Sequence, residues 1–270
     1  NPNLSSRRAA VMLNISRSTI LRSLHKDGRK AYHFRAVQDL LPEDYVKRRN
    51  YCNWSLNKVQ VDGDFLHKVC WTDEASFTRT GITNYHNLHI WSQHNPCEVR
   101  ARKFQHQFSV NVWIGVISNN LLGPFFLPAR FLAQLFLDFL QNNLNYLMDD
   151  VPLHLRANGW FQMDGAPPHF VRNVRNWITE HYGNQWIGRF PGEVENNHEG
   201  PISWPPRSPD LTPLDFFIWG YLKEKVYRVP VRNREELVLK IQEACDELRR
   251  NNHILSAAIN SITRRCQPST

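Results

Sequence analysis

Apolar residues recur at helical spacing twice within the first thirty residues. Ser16 lies between the two patterns and is a favourable N-cap for the second helix. We therefore predict two short helices, the first over residues 7–13, joined by a tight turn in the outline of a helix-turn-helix. The apolar positions are Ala10, Val11 and Leu13 in the first helix and Ile20, Leu21 and Leu24 in the second.

From residue 65 onwards, two kinds of segment follow one another along the chain. Segments rich in β-branched and aromatic residues, typical of strands, alternate with segments of helical spacing. This order predicts an α/β fold, a mixed sheet flanked by helices. The predicted strands cover residues 67–73, 107–118, 121–128, 160–164 and 201–206, with a hairpin turn at Asn119-Asn120. The predicted helices cover residues 42–56, 130–148 and 169–182, and two more begin at Thr212 and Asn233.

Three aspartates stand where predicted elements end or begin. Asp73 ends the first strand, Asp164 ends the strand after the long helix, and Asp215 lies in the first turn of the helix that follows Thr212. In an open α/β sheet, the strand ends and the adjoining helix starts converge at one edge, where ligands bind. We therefore expect the three carboxylates to form one cluster.

Clustered carboxylates repel one another, so such a group needs cations to compensate its charge. Hard oxygen ligands suit Mg²⁺ (or Mn²⁺), and two such ions can support phosphoryl transfer by activating the attacking oxygen and stabilising the leaving one. That chemistry needs no nucleophilic side chain, and the sequence has no clear Ser-His-Asp or Cys-His arrangement.

Each acid also has a purely structural explanation. Asp73 could merely end a strand, Asp164 could form an ordinary Asp-Gly turn, and Asp215 could complete a helix cap. Nearby residues are interpreted in the same way: Asp210 as a turn residue, His169 as a helix-start residue, Glu74 as a solvated or supporting acid, and Trp219 as part of the core.

The positive charge is concentrated at the N-terminal end. Residues 1–50 hold eleven Lys and Arg against four acids, or +7 of the total +8. Such an asymmetry favours docking on the phosphates of double-stranded DNA, although a solvated basic face would look similar. The expected DNA-contacting residues are Arg7, Arg8, Arg17, Ser18, Thr19, Arg22, Lys26, Arg29 and Lys30.

The composition excludes several other classes of protein. No apolar run is long enough for a membrane span, and the first residues lack the apolar core of a secretory signal, so we expect a soluble intracellular protein. The five cysteines are scattered without a CxxC pair, so neither a disulfide framework nor a zinc site is predicted.

The segments TDEASF, QMDGAPPH and WPPRSPDLTPLDFFIWGYLKEKVY, in this order behind a helix-turn-helix, resemble mariner-type transposases of the Tc/mariner superfamily. The resemblance spans nearly the whole chain. It implies a ribonuclease-H-like catalytic domain in which Asp73, Asp164 and Asp215, and not Asp210, bind two Mg²⁺ (or Mn²⁺) ions. It further implies cut-and-paste transposition into TA dinucleotides, element ends and target DNA as partners, a homodimer that pairs two ends, and action in the nucleus.

The resemblance divides the chain into three expected parts. Residues 1–30 form a helix-turn-helix DNA-binding segment, residues 31–64 a linker and helix, and residues 65–270 the catalytic domain. Two departures accompany it. The 50 residues between Asp164 and Asp215 exceed the usual spacing, which predicts a surface insertion within residues 183–203. The family uses two helix-turn-helix units, so we expect the sequence to be truncated at its start.

Two other functions remain open from the sequence. A catalytically inactive or domesticated transposase-derived DNA-binding protein would share the basic N-terminal segment, but it has no need to keep three repelling acids. A general nuclease of the same fold would not need the helix-turn-helix. Metal-dependent nicking of a DNA that carries the element end separates the leading hypothesis from the first of these.

Overall fold

The computed structural model describes residues 6–28, 39–79, 108–130, 132–189 and 202–267. The chain divides into two compact units, Asn1–Asp39 and Leu40–Thr270. Among the helices of the described residues, none combines the length and the apolar character that a membrane span requires.

The first unit contains the predicted pair of helices, α1 (Ser6–Leu13) and α2 (Arg17–Lys26). Ser16 caps α2 as predicted, because its Oγ accepts a hydrogen bond of 3.1 Å from the backbone N–H of Thr19. Ile20 is buried, but the predicted apolar face of α1 is wrong, since Val11 and Leu13 are 82% and 64% exposed. The described helices of this unit offer too little apolar surface to cover both sides of α1.

The second unit is built on one mixed sheet of six strands in the order β3-β2-β1-β4-β5-β6. Strands β1, β2 and β3 are antiparallel neighbours, whereas β1, β4, β5 and β6 run parallel. Parallel strands end at the same edge of a sheet, and this carboxyl edge positions the site described below. The strands are β1 (Val69–Thr78), β2 (Ser109–Ile117), β3 (Asn120–Leu127), β4 (Trp160–Gln162), β5 (Trp186–Gly188) and β6 (Ile202–Ser203).

Helices cover both faces of this sheet, because side chains on each strand alternate between two apolar cores. Along β1, Trp71 enters the core shared with α3, α9, α10 and α11, whereas Cys70 enters the core shared with α4, α6 and α8. The helices of this unit are α3 (Pro42–Val61), α4 (Ala133–Phe139), α5 (Asn145–Leu147), α6 (Leu153–Ala157), α7 (Pro167–Phe170), α8 (Arg172–Tyr182), α9 (Trp219–Val226), α10 (Arg234–Arg250) and α11 (His253–Cys266).

The predicted α/β class, a mixed sheet flanked by helices, is confirmed, and the differences are local. The predicted helix over residues 130–148 is a continuous run of α4, a π-helical turn (Leu140–Leu144) and α5. The hairpin after β2 turns one residue earlier than predicted, since Ile117 pairs with Asn120 and Ser118 takes a φ of 53°. Strand β1 extends five residues beyond Asp73, because its later residues pair with β2.

Candidate active site

Asp73 and Asp164 each lie two residues beyond the last residue pair that joins β1 to β4. The parallel pairing of β1 with β4 sets Trp71 opposite Gln162. Beyond this pair the ladder ends, because the backbone N–H of Thr72 donates a hydrogen bond of 3.3 Å to the side-chain Oε1 of Gln162. Both acids therefore lie on the side of the sheet where β4 ends.

Asp215 reaches this edge from the start of a helix. Pro213 occupies the first helical position, as predicted, and Thr212 Oγ1 accepts a hydrogen bond of 3.4 Å from the backbone N–H of Leu214. The following turn, Leu214–Ile218, is π-helical, packs against β1 and continues into α9. This packing brings Asp215 within electrostatic range of both other acids.

The charges of the three acids show that they form one electrostatic group. Burial raises the pKa of Asp73 well above its usual value, and the negative charges of Asp215 and Glu74 raise it further. The pKa of Asp215 rises to about 6, first through loss of hydration and then through the charge of Asp164, although the residue itself is exposed. Both shifts mean that the folded chain destabilises the ionised cluster.

A tryptophan orients the first acid. Trp219 is 5% exposed and belongs to the core, as predicted, but its indole Nε1 also donates a hydrogen bond of 2.7 Å to Asp73 Oδ2. Trp219 lies one helical turn after Asp215, so the same helix supplies both an acid and the donor that holds another acid. Edge contact with Phe77, whose ring centroid is 6.1 Å away, fixes the indole against β1.

A buried histidine orients the second acid. His169 Nδ1 lies 2.7 Å from Asp164 Oδ1, and His169 Nε2 lies 3.3 Å from Glu74 Oε2. The backbone N–H of Ala166 donates a further hydrogen bond of 2.8 Å to Asp164 Oδ1. The ring of Phe136 packs against the imidazole at a centroid distance of 4.4 Å. Asp164 Oδ2 accepts no hydrogen bond from any of the described residues.

The two carboxylates keep this histidine charged. Burial alone would lower the pKa of His169, but Glu74 and Asp164 together raise it to about 10. For Asp164 burial acts to raise the pKa, whereas the hydrogen bond and charge of His169 and the N–H of Ala166 outweigh it, so its pKa is lowered. Asp164 is therefore ionised, whereas Asp73 and Asp215 each resist ionisation.

The donor set fits a hard divalent cation in its chemistry. Carboxylate oxygens are the ligands that Mg²⁺ and Mn²⁺ take, and a cation would remove the repulsion that raises the pKa of Asp73 and Asp215. In the part of the chain that the structure describes, however, no three His, Cys, Asp or Glu side chains are close enough together to hold one ion. The three acids affect one another's pKa through their charges, but among the described residues they are not close enough together to hold one ion as a group of three.

Asp210 has a different environment from Asp215. Arg48 of α3 forms two hydrogen bonds with its carboxylate, of 2.7 and 2.6 Å, and one of 2.7 Å with Ser208. Three residue pairs tie this segment to α3, because Arg207 also donates a hydrogen bond of 2.6 Å to Asp44. Asp210 thus has a structural partner, whereas the described residues offer no ion pair or hydrogen bond to the carboxylate of Asp215.

The predicted DNA-contacting residues lie partly outside the described residues. Arg29 and Lys30 fall there, and the side chains of Arg7 and Arg8 in α1 are not described. Arg17, Ser18, Thr19, Arg22 and Lys26 are exposed on α2. The hydroxyl groups of Ser18 and Thr19 each lie 2.8 Å from Ser16 Oγ, so both take part in capping the helix. Their contact with DNA stays a prediction, as does that of the basic residues.

Sequence reasoning anticipated the supporting residues of the site only in part. His169 was expected to start a helix and Glu74 to be solvated or supporting, but the histidine is 1% exposed and bridges Asp164 to Glu74. The available signal was the spacing of five residues between Asp164 and His169 across a Gly and two Pro, which turns the chain back towards the strand end. For Trp219, its position four residues after Asp215 was the signal.

The fold is similar to that of the Mos1 mariner transposase. For the Mos1 mariner paired end complex with Mn, the TM-score is 0.75 at 17% identity, covering 98% of this chain and 73% of that chain. For a pre-cleavage Mos1 transpososome, the TM-score is 0.72 at 17% identity, covering 100% and 76%. For the catalytic domain of Mos1 mariner transposase, it is 0.60 at 17% identity, covering 86% and 94%. No protein-family model and no curated protein matches the sequence.

These similarities concern the fold. They confirm the predicted ribonuclease-H-like architecture of the mixed sheet and its helices. The similarity to the Mos1 mariner paired end complex and to the pre-cleavage Mos1 transpososome covers 98% and 100% of this chain.

Proposed function

We propose that this chain is a mariner-type DNA transposase. It binds the ends of its own element, cuts phosphodiester bonds there, and joins the freed 3′ hydroxyls to target DNA. One observation carries the proposal: Asp73 and Asp164 each lie two residues beyond the last residue pair of β1 and β4, and Asp215 lies within electrostatic range of both. The likeness of fold to Mos1 transposase supports it.

The three acids are the proposed ligands of two Mg²⁺ or Mn²⁺ ions. Divalent cations at such a site polarise a phosphoryl oxygen and make water or a hydroxyl a better nucleophile near neutral pH. The chain itself supplies orientation. Trp219 holds one oxygen of Asp73, His169 holds one oxygen of Asp164, and Asp164 Oδ2 is left without a hydrogen bond among the described residues.

The remaining partners belong to the same proposal. Element ends and target DNA are the nucleic-acid partners, two copies of the chain pair the two ends, and the reaction takes place in the nucleus. The fold similarity to a Mos1 paired-end complex and a Mos1 strand transfer complex supports DNA as the partner. The basic residues of α2 are the proposed contacts to the duplex.

Substitution of one acid tests the activity. The substrate is a duplex that carries the flanking genomic repeat, incubated with Mg²⁺ and mapped for cuts. We expect Asp164→Asn to reduce nicking by about a thousandfold, because the variant loses a ligand charge that acts on the transition state. Binding of the same duplex in a mobility-shift assay should be unchanged, and EDTA should abolish nicking by the unsubstituted chain.

Asp149→Asn is the matched control. It makes the same chemical change at a residue that is 66% exposed and pairs with Arg156, away from the carboxyl edge. We expect this variant to nick DNA like the unsubstituted chain. Full nicking activity of Asp164→Asn would defeat the assignment.

A catalytically inactive transposase-derived DNA-binding protein is the second candidate. The observation in its favour is that the described residues form no closed set of metal ligands. It predicts that the unsubstituted chain binds the duplex with no nicking in either Mg²⁺ or Mn²⁺. Nicking that depends on Asp164 excludes it.

A further inference from the structure

An arginine, Arg189, lies on the side of the sheet where β4 and β5 end. The pairing of β4 with β5 sets Gln162 opposite Ile187, and Met163 N–H donates to Ile187 O at 3.0 Å. Arg189 directly follows β5, and it lies against the turn after Asp164, because a Cβ added at Gly165 would meet Arg189 Cβ at 3.6 Å. Asp164 and Arg189 thus lie near each other where the parallel strands β4 and β5 end.

The guanidinium of Arg189 is held on an aromatic ring. Its Cζ lies 4.4 Å from the ring centroid of Phe170, the residue that follows His169. Arg175 lies against the same ring at 4.9 Å, and its Nε donates a hydrogen bond of 2.9 Å to Phe170 O. The stem of Arg189 runs past Gly165, where an added Cβ would meet its Cδ at 3.5 Å. Stacking of this kind orients a guanidinium while leaving its N–H donors available.

This arginine has no carboxylate partner among the described residues. It is exposed, and the nearby Asp164 is bound to His169 instead. An exposed arginine is usually a solvated surface residue. The stacking on Phe170 and the place beside an acid cluster distinguish Arg189 from that ordinary case, because a single-sign acid cluster repels the phosphates of a DNA strand unless cations flank it.

We infer that Arg189 binds a backbone phosphate of the DNA strand that lies across the three carboxylates. The inference rests on the proposed function, because that function brings a strand to this edge. The planar guanidinium offers two parallel N–H donors to a phosphate, and its position on Phe170 limits the entropy lost on binding. Arg189 is a binding residue, and Phe170 positions it.

Single-stranded DNA tests the contact, since a helix-turn-helix docks on duplex grooves. The full chain is titrated into a fluorescein-labelled oligothymidylate at fixed Mg²⁺ and several KCl concentrations, with fluorescence anisotropy as the readout. We expect Arg189→Gln to weaken binding up to about fivefold. The slope of log K against log[salt] should become shallower by about 0.7, the value for one phosphate contact on a single strand. A structural role alone does not move this slope.

Two further variants complete the test. Arg189→Lys keeps the positive charge but loses the planar guanidinium that stacks on Phe170. We therefore expect weaker binding with an unchanged slope of log K against log[salt]. Arg156→Gln is the matched control, because it removes the same charge from α6, which leads into the opposite end of β4. We expect Arg156→Gln to bind like the unsubstituted chain.

The outcomes separate this inference from the proposed function. An unchanged slope for Arg189→Gln, or a change equal to that of Arg156→Gln, overturns the phosphate contact even if the chain nicks DNA. If Arg189→Gln flattens the slope but the unsubstituted chain never nicks an end-containing duplex, the phosphate contact stands and the catalytic proposal fails.

Discussion

His169 contacts two acids that have different roles. Asp164 is a proposed metal ligand, and Glu74 is not. The histidine side chain is 2% exposed and that of Glu74 is 16% exposed, so the pair lies largely away from water. His169→Ala leaves the Glu74 charge without its partner. We expect the free energy of unfolding to fall by about 3–5 kcal/mol, as for other broken buried ion pairs, measured by urea denaturation. Nicking should fall as well, because Asp164 Oδ1 loses one of its two hydrogen-bond donors and keeps only the N–H of Ala166.

A double variant separates stability from positioning. In His169→Ala/Glu74→Gln the uncompensated charge is gone, so we expect part of the lost stability to return while nicking stays low. If the free energy of unfolding and the nicking activity recover to the same extent, His169 acts only through stability. An unaltered free energy of unfolding for His169→Ala would contradict the ion-pair assignment itself.

The sequence indicated the acids of this site better than their supports. Asp73 and Asp164 could be anticipated because each follows an apolar run that predicts a strand. For His169 the five-residue spacing from Asp164 was a weak signal, because its contact with Glu74 depends on how the turn after Asp164 folds. Arg189 stayed unnoticed for a similar reason: its place near Asp164 follows from the pairing of β4 with β5, which the spacing of residues does not reveal.

Among the elements, α3 and the segment before Asp215 are joined by polar contacts. Arg48 Nη1 donates hydrogen bonds to Asp210 and Ser208, and its Nη2 donates another to Asp210. The side chain of Arg48 is 19% exposed. Arg48→Met keeps much of the side-chain volume and removes these bonds. We expect a loss of about 1–2 kcal/mol in the free energy of unfolding. Nicking should fall more than duplex binding, because the segment leads directly into the helix that presents Asp215.

Arg49→Met is the control on the same helix, because Arg49 is exposed and makes no ion pair within the described residues. It should unfold and nick like the unsubstituted chain. A charge exchange, Arg48→Asp with Asp210→Arg, should recover part of the stability that Arg48→Met loses. If Arg48→Met and Arg49→Met behave alike, the contact with Asp210 does not anchor the segment.

Long periodic elements were predicted from the sequence, and short ones were not. The helix beginning at Asn233 was anticipated with its cap, and Asn233 Oδ1 accepts the N–H of Glu236 at 2.8 Å. Strand β5 has only three residues, all buried, so it carries no alternation that a pattern could reveal. The π-helical turn at Asp215 was equally invisible, because it depends on packing against β1 rather than on local preference.

At the scale of the whole molecule, the excess of positive charge and the three candidate acids lie in different parts of the chain. Residues 1–50 carry most of the net charge, whereas the three acids lie in the second unit. This separation predicts that duplex binding and cutting can be altered independently. The sequence indicated the separation through composition alone, since net charge is a sum that needs no knowledge of the fold.

The basic face of α2 gives the decisive test of this separation. Arg22 and Lys26 are exposed and four residues apart, so they lie on one face of the helix. For the variant Arg22→Ala/Lys26→Ala, we expect the salt slope of duplex binding to fall by about 1.8, the value for two phosphate contacts. Arg228→Ala/Arg232→Ala removes two exposed cations from the second unit and should leave that slope nearly unchanged. Equal losses in both variants would show that duplex binding follows net charge and not the helix-turn-helix.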